Sequence, residues 1–355
     1  MTVPKYVDKI NPYVPGKPIE ELERELGITG SIKLASNENP LGASPKAISA
    51  IKNLNYSLNR YPDGNGFYLK EALSALHNVK SDEIILGNGS NELLDVAVRT
   101  FMQPGDDAVM ADPSFIVYPM SVSSVGCNIV NIPLRDYRHD LKAMADAITV
   151  HTKIVFIANP NNPTGTIVYR DEFDDFINRI PDRVLVVMDE AYYEYVTDSD
   201  NPDTLKYFRD GLDILILRTF SKAYGLAGLR IGYGIANSDI IKQMNKIRAP
   251  FNTNTIAQTA AISALDDVEH IRKSIEINEQ GKLYLYKELT DMGIFFVKTQ
   301  ANFMYIDLKV DVREIYIKLM ALGIIIRPMG QTVIRVTIGL PEENKLFIDR
   351  LKEVL

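Results

Sequence analysis

Residues 213–230 read Asp213-Ile-Leu-Ile-Leu-Arg-Thr-Phe-Ser-Lys-Ala-Tyr-Gly-Leu-Ala-Gly-Leu-Arg230. The apolar run at the beginning predicts a buried strand, and the small residues after it predict a tight turn. Lys222, in this turn, is placed for chemistry on its amine: an aldehyde can condense with it as a Schiff base, and Arg230 can hold a phosphate nearby. A strand followed by an ordinary loop with two solvated cations explains the same residues, so both interpretations stay open on this stretch alone.

Other short apolar runs of the same kind alternate with helical patterns between about residues 46 and 250. They begin at Glu83, Asp107, Asn128, Lys153, Val184 and Arg230. Continuous β-branched runs separated by helices predict a mostly parallel sheet covered by helices on both faces. We therefore predict an α/β fold whose large domain spans residues 46–255. Residues 1–45, with a helix at Ile19–Leu26, and residues 256–355 are predicted to form an N-terminal arm and a smaller α+β domain.

The composition of the 355-residue chain limits the classes of function. A net charge of -7 argues against binding of nucleic acid, which needs clustered positive charge. The single cysteine, Cys127, excludes an intrachain disulfide, and the four histidines are scattered without the spacing of metal ligands. No run of about 18 apolar residues predicts a membrane span, and the first residues lack the apolar core of a signal peptide. We expect a soluble cytoplasmic protein without a metal.

A glycine-rich turn follows the first apolar run of the predicted sheet. Ligands of a doubly wound sheet bind at the carboxyl ends of its strands. The turn reads Gly87-Asn-Gly-Ser-Asn-Glu92 and leads into a helical pattern, so its backbone N–H groups and the positive helix end make a cup for an anion. An ordinary capped helix is the alternative interpretation.

Three further strand ends carry unusual polar or aromatic residues. Asn159-Pro-Asn-Asn-Pro-Thr-Gly165 predicts a rigid turn that holds the amide of Asn162 at the edge of the sheet. Asp189 ends a fully apolar strand and needs a cationic or hydrogen-bonding partner, for which a protonated ring nitrogen would serve; a helix N-cap is the alternative. Phe115 follows another strand and can offer a flat face to an aromatic cofactor, although an aromatic residue there also suits the core.

Together these strand ends supply the parts that a pyridoxal phosphate site requires. They are a Schiff-base lysine, a carboxylate for the pyridinium nitrogen, and anchors for the phosphate and the phenolic oxygen. Such a site makes the reactive interpretation of Lys222 the better one.

The chain resembles the fold-type I, aspartate-aminotransferase-like family of pyridoxal phosphate enzymes over nearly its whole length. The motifs that carry the resemblance are Asn162-Pro-Thr-Gly, Asp189-Glu-Ala-Tyr, Ser221-Lys-Ala-Tyr-Gly-Leu-Ala-Gly-Leu-Arg230 and Arg335-Val-Thr-Ile-Gly. Within that family the chain is most similar to the histidinol-phosphate aminotransferases, on the motifs Pro12-Tyr-Val-Pro-Gly-Lys-Pro, Ala35-Ser-Asn-Glu-Asn-Pro-Leu-Gly and Arg60-Tyr-Pro-Asp-Gly.

The resemblance implies specific roles for the residues at the cofactor ring. Lys222 would bind the cofactor and shuttle the substrate's proton, and Asp189 would keep the pyridine nitrogen protonated. Asn162 and Tyr192 would hold the phenolic oxygen, with Tyr192 counted among the catalytic residues. Phe115 would stack on the ring; the family often has Tyr there, so stacking is kept while a hydroxyl is lost.

The resemblance also implies a phosphate cradle and a substrate-binding group. The residues of the cradle would be Gly89, Ser90, Asn91, Ser221 and Arg230. Tyr61 would reach the cofactor of a neighbouring subunit, which implies a homodimer with shared active sites. Arg335 would grip the acidic group of the amino donor or acceptor, with Tyr13, Asn37 and Arg327 as the other substrate-binding residues.

The expected reaction is transamination of L-histidinol phosphate with 2-oxoglutarate, a step of histidine biosynthesis. An aromatic amino acid aminotransferase is the nearest alternative, because such enzymes share the scaffold. A threonine-phosphate decarboxylase or a cofactor-binding regulator are more distant alternatives. A regulator of that kind normally needs an added DNA-binding domain, for which neither the length nor the acidic charge leaves room.

Overall fold

The computed structural model describes residues 2–13, 15–55 and 59–355. Met1, Val14 of the Pro12–Pro18 motif and residues 56–58 lie outside these ranges. The strands are β1 (Ile32–Lys33), β2 (Ile84–Gly87), β3 (Asp107–Asp112), β4 (Asn128–Pro133), β5 (Thr152–Ala158), β6 (Leu185–Asp189), β7 (Ile214–Thr219), β8 (Gly232–Ile235), β9 (Phe295–Val297), β10 (Phe303–Asp307), β11 (Ile324–Ile325), β12 (Arg327–Pro328) and β13 (Val333–Thr337).

The helices separate most of these strands along the chain. They are α1 (Ile19–Leu26), α2 (Pro45–Lys52), α3 (Phe67–His77), α4 (Ser90–Phe101), α5 (Val117–Ser124), α6 (Leu141–Asp146), α7 (Arg170–Ile177), α8 (Thr204–Arg209), α9 (Ser238–Met244), α10 (Thr255–Leu265), α11 (Val268–Asp291), α12 (Val312–Ala321) and α13 (Pro341–Val354). The predicted helix α1 has the predicted bounds; it ends where Gly27 takes a left-handed conformation, with φ 66°.

The large sheet of the described chain has the strand order β2-β8-β7-β6-β5-β3-β4. Strand β8 runs antiparallel to both of its neighbours, and the other neighbouring pairs are parallel. The predicted α/β fold with a mostly parallel sheet is therefore confirmed. Because every strand except β8 points the same way, the loops after β2, β3, β5, β6 and β7 meet at one edge of the sheet.

Two apolar cores cover the two faces of this sheet. In β7, Ile214 and Ile216 belong to one core and Leu215 and Leu217 to the other, as expected for side chains that alternate along a strand. All four side chains are fully buried, and each such burial contributes roughly 1.5–3 kcal/mol. The loop that carries Lys222 therefore begins at a firmly packed strand.

A second sheet has the order β12-β13-β10-β9 and is antiparallel. It packs with α11, α12 and α13 around its own apolar core. Strand β1 pairs in parallel with β11, so the part of the arm that contains β1 packs against the C-terminal part of the chain. Helix α10 contributes its alanines to a core of the large sheet. The predicted division between residues 255 and 256 stays a prediction.

Candidate active site

A cavity of about 560 Å³ opens at the carboxyl edge of the large sheet. The predicted residues that line it are Tyr13, Asn37, Ser90, Asn91, Phe115, Asn162, Asp189, Tyr192, Ser221, Lys222, Arg230, Arg327 and Arg335. They come from the arm, from the ends of β2, β3, β5, β6 and β7, and from the second sheet. The fold therefore brings together side chains that are up to 322 residues apart, from Tyr13 to Arg335.

Lys222 lies on the turn after β7, with its amine at the wall of the cavity. Its Nζ donates a hydrogen bond to the carbonyl oxygen of Ser36 at 3.1 Å and lies 5.6 Å from the centre of the Tyr192 ring. Burial and the positive charge of Arg335 lower the pKa of this lysine to about 8. The lowered pKa favours the neutral amine, which is the nucleophilic form.

Asp189 ends β6 and is almost fully buried. Its Oδ2 accepts a hydrogen bond from the hydroxyl of Tyr118 at 2.8 Å, and its Oδ1 accepts one from the backbone N–H of Ala191 at 3.2 Å. Burial raises the pKa of Asp189 to about 6, and the Tyr118 hydrogen bond opposes that rise. A cation placed against this carboxyl would favour its ionised form.

Tyr118 is a residue of the site that the sequence did not reveal. It lies in α5. Its ring is fully buried and stacks on the ring of Phe156, with 4.8 Å between the ring centres. Phe115, half-buried at the cavity wall, meets Tyr118 edge-on at 5.6 Å. The signal that the sequence offered was a second aromatic residue three positions after Phe115.

The glycine-rich turn after β2 lies against Arg230. Ser90 and Asn91 open α4, and Gly89 precedes them with φ 76°. A Cβ atom at Gly89 would come within 2.5 Å of Nη2 of Arg230, so a side chain at position 89 would displace the guanidinium from its present place. Nη1 of Arg230 also lies 3.4 Å from the hydroxyl of Ser221. Helix start, hydroxyl and guanidinium together form a cup for an anion.

Tyr192 is held from the arm side by Asn37. Nδ2 of Asn37 donates to the tyrosine hydroxyl at 2.9 Å, and burial raises the pKa of Tyr192. Asn37 has a left-handed backbone, with φ 54°, and its N–H donates to Oγ1 of Thr337 at 2.9 Å. The arm therefore reaches Tyr192 through a fixed turn that is bound to β13.

Arg335 lies in β13 and points its guanidinium into the cavity. Nη1 donates to Oδ1 of Asn162 at 2.6 Å, and Nη2 donates to the carbonyl oxygen of Ala35 at 2.7 Å. Its Nε is buried and has no hydrogen-bond partner among the described residues. Arg327, whose guanidinium carbon lies 5.4 Å from the centre of the Tyr13 ring, adds a second positive charge beside it. This end of the cavity suits an acidic group.

Two predicted residues lie outside the cavity wall. Gly89 contributes backbone beneath Arg230, as described above. Tyr61 is 81% exposed and stacks on Phe251, with 4.6 Å between the ring centres. The structure therefore does not bring Tyr61 to the cavity of its own chain.

The model of the family described as aminotransferase class I and II matches residues 29–351. The chain belongs to the class I and II aminotransferases. It is thus an enzyme of this family, as the motifs predicted. Among the described residues of the aminotransferase, no helix combines the length and the apolar character needed to cross a membrane.

Similar proteins narrow the group within the family. A histidinol-phosphate aminotransferase from Moorella thermoacetica is 49% identical over 100% of this chain and 94% of its own. Another, from Carboxydothermus hydrogenoformans, is 46% identical over 99% of both chains. The predicted resemblance to histidinol-phosphate aminotransferases is confirmed.

A solved structure of the same group has the same fold. It is the histidinol-phosphate aminotransferase from Sinorhizobium meliloti in complex with pyridoxal-5'-phosphate. It superposes on this aminotransferase with a TM-score of 0.91, at 29% identity, over 99% of this chain and 96% of its own.

Proposed function

We propose that the protein transfers the amino group of L-histidinol phosphate to 2-oxoglutarate with pyridoxal phosphate as its cofactor, giving imidazole-acetol phosphate and L-glutamate by a ping-pong route. The observation that carries this proposal is one cavity lined by a lysine of lowered pKa, a buried acid and two arginines. Relatives named histidinol-phosphate aminotransferase, at 49% and 46% identity, support the choice of substrate.

The residues of the cavity fit pyridoxal phosphate. The cup formed by the start of α4, Ser221 and Arg230 suits a phosphate, and glycine at position 89 leaves the room for the guanidinium. The buried carboxyl of Asp189 suits a cationic ring nitrogen, and Phe115 lines the same wall. When bound, the cofactor supplies an electron-withdrawing ring that stabilises negative charge at the substrate's Cα.

Side chains of the protein would carry out the proton transfer and would orient the cofactor. The neutral amine of Lys222 would hold the cofactor through its aldehyde and would move the proton at the substrate's Cα. Asp189, oriented by the hydrogen bond from Tyr118, would supply a negative charge to the ring nitrogen. Tyr192, held by Asn37, and the amide of Asn162 orient the phenolic oxygen. None of these groups needs to move far, because each is fixed by a hydrogen bond that is already present.

Arg335 and Arg327 are proposed to bind the acidic groups of the two substrates. Nε of Arg335 is a buried donor without an acceptor in the described part of the chain, and such a donor costs free energy until an acceptor reaches it. A carboxylate or phosphate oxygen is the acceptor that a guanidinium binds best. Substrate binding therefore completes the hydrogen bonding of this arginine.

The Arg335→Ala variant is expected to raise the KM of both the amino donor and 2-oxoglutarate by roughly 30-fold or more, since truncating one partner of a buried charge pair costs about 2–5 kcal/mol. Steady-state kinetics with each substrate varied in turn measure this. The Arg327→Ala variant serves as the comparison. It should weaken binding of the phosphorylated substrate more than binding of 2-oxoglutarate. If neither KM moved in the Arg335 variant, the proposed substrate end of the cavity would be wrong.

A panel of amino donors with 2-oxoglutarate as common acceptor tests the proposed reaction. Histidinol phosphate is expected to have a higher kcat/KM than phenylalanine. A strong preference for phenylalanine would replace the proposal with an aromatic amino acid aminotransferase. Release of carbon dioxide without consumption of 2-oxoglutarate would identify a decarboxylase.

We also propose a cytoplasmic homodimer with shared active sites. Tyr61, Phe67, Tyr68 and Phe251 are exposed aromatic residues, and exposed apolar clusters are typical of interfaces. Tyr61 would reach the cofactor phosphate of the second subunit. The single cysteine, Cys127, is buried and unpaired, which suits a reducing compartment. A monomeric mass in sedimentation would contradict the dimer.

A further inference from the structure

A buried ion pair lies behind the strand ends that carry Asp189 and Lys222. Glu190 directly follows Asp189 and has no exposed surface, and Arg218 lies in β7, four residues before Lys222. Nε and Nη2 of Arg218 are both 2.8 Å from Oε2 of Glu190. Neither side chain lines the cavity. The pair therefore has no contact with a ligand bound there.

Other groups of this buried region hold the pair in place. The hydroxyl of Thr204 donates to Oε1 of Glu190 at 2.5 Å, and the guanidinium of Arg218 lies 3.6 Å above the ring of Tyr193. Glu194 is a second acid here and is partly buried: its Oε2 is buried without a hydrogen-bond partner among the described residues, and burial raises its pKa to about 7 against the pull of Arg218. Nε2 of His77 and the hydroxyl of Tyr233 form a hydrogen bond at 2.8 Å, and the positive charge of Arg218 acts on both side chains.

Glu190 and Arg218 each directly follow the last paired residues of β6 and β7, so their ion pair links the two strands just beyond the end of the pairing. Asp189 is opposite Leu217 in the register, and the N–H of Glu190 donates to the carbonyl oxygen of Leu217 at 2.8 Å. Because neighbouring residues of a strand point to opposite faces, Asp189 faces the cavity while Glu190 faces Arg218. A shift of Glu190 relative to Arg218 would displace Asp189 relative to Lys222.

Stability alone is a weak reason for such a pair. Taking two charges out of water costs several kcal/mol for each ion, and well-packed apolar replacements are often as stable or more stable. A role in fixing geometry accounts for the pair better, because proton transfer and charge stabilisation at the cofactor depend on the spacing of Asp189 and Lys222.

We propose that Glu190 and Arg218 are positioning residues that fix Asp189 and Lys222 relative to each other. This inference rests on the proposed pyridoxal phosphate function. It predicts that the pair sets the rate and the spectroscopic properties of the lysine-bound cofactor, although neither residue touches the cofactor or the substrate.

The test compares the holoenzymes of Glu190→Gln, Arg218→Met and the double variant. Glutamine keeps an oxygen for Thr204, so the single change removes mainly the charge. In the single variants we expect a lower unfolding temperature, because one buried charge is left unpaired. In all three variants we expect kcat to fall roughly 10- to 100-fold with a smaller change in KM, as for a displaced catalytic group. The pH midpoint of the visible absorbance of the lysine-bound cofactor should shift as well.

The double variant separates positioning from stability. It should regain most of the unfolding temperature but neither kcat nor the wild-type pH midpoint. Glu172→Gln is a control for the loss of a glutamate–arginine pair: Glu172 pairs with Arg138, this pair is partly exposed, and neither residue lines the cavity. This variant should keep the wild-type kcat and midpoint. A double variant with wild-type kcat and midpoint would overturn the positioning role. A wild-type protein without the visible absorbance would instead overturn the proposed cofactor.

Discussion

The Lys222→Ala variant is expected to lose at least about 10⁴-fold in turnover, the upper end of what a positioned proton-transfer group contributes. It should also lose the visible absorbance of the lysine-bound cofactor. Both losses follow from one atom, because the proposed function makes Nζ of Lys222 the nucleophile for the aldehyde and the base for the substrate's proton. Absorbance spectra of the reconstituted variant and single-turnover assays with each substrate measure the two losses separately.

The pKa of Lys222 explains why the loss should be so large near neutral pH. With a pKa of about 8, about one tenth of this lysine is neutral at pH 7, against about one in 3,000 for a lysine at the ordinary 10.5. Burial and the charge of Arg335 produce this difference.

Lys282→Ala is a suitable control for the lysine assignment. Lys282 is also buried and its Nζ also donates to a backbone oxygen, that of Thr299 at 3.3 Å, but it lies in α11 and does not line the cavity. This variant should keep the visible absorbance. A small primary amine added to the Lys222 variant should restore part of the turnover, since it replaces the missing base. An intact absorbance band in the Lys222 variant would refute the assignment.

Much of the site could be predicted because strand direction limits where loops meet. Once the apolar runs indicated parallel strands, the residues after them had to share one edge of the sheet. Asn162, Asp189 and Lys222 lie in three such loops, and all three line the cavity. The periodicity of the sequence thus carried positional information as well as secondary structure.

The partners of these residues could not be predicted in the same way. Tyr118, in α5, stacks on Phe156 of β5 and binds an acid that is 71 residues away. Glu190 stands beside Asp189 in a recognisable motif, yet its pairing with Arg218 depends on the register of two strands. Contacts of this kind follow from packing, which a single sequence does not specify.

Tyr61 illustrates a different limit. Its role was inferred from resemblance, and the structure of one chain shows only an exposed ring on Phe251. A side chain that acts on a second copy leaves no trace in the cavity of its own chain. The role of Tyr61 stays a prediction until the assembly is measured.

The Asp189→Asn variant is expected to lose roughly 10²- to 5 × 10³-fold in kcat, because removing one partner of a buried ion pair costs about 3–5 kcal/mol and each 1.36 kcal/mol is tenfold in rate. Asparagine keeps the shape of the side chain and can still accept from Tyr118, so the variant should fold and bind cofactor. What it removes is the negative charge that favours a protonated ring nitrogen. Comparison of kcat with the visible spectrum of the bound cofactor measures this, and wild-type kcat would contradict the assignment.

The Tyr118→Phe variant is a milder change at the same site, and the direction of its effect on the pKa of Asp189 can be derived. Burial raises the pKa of Asp189 and the Tyr118 hydroxyl opposes that rise, so loss of the hydroxyl should raise the pKa further. The carboxylate would then be protonated at a higher pH, and the acidic limb of the kcat profile should move to higher pH. In Asp189→Asn the contribution of this group to the limb should disappear, since the amide does not titrate. A Tyr118 variant whose acidic limb moved to lower pH would show that another group controls the ring nitrogen.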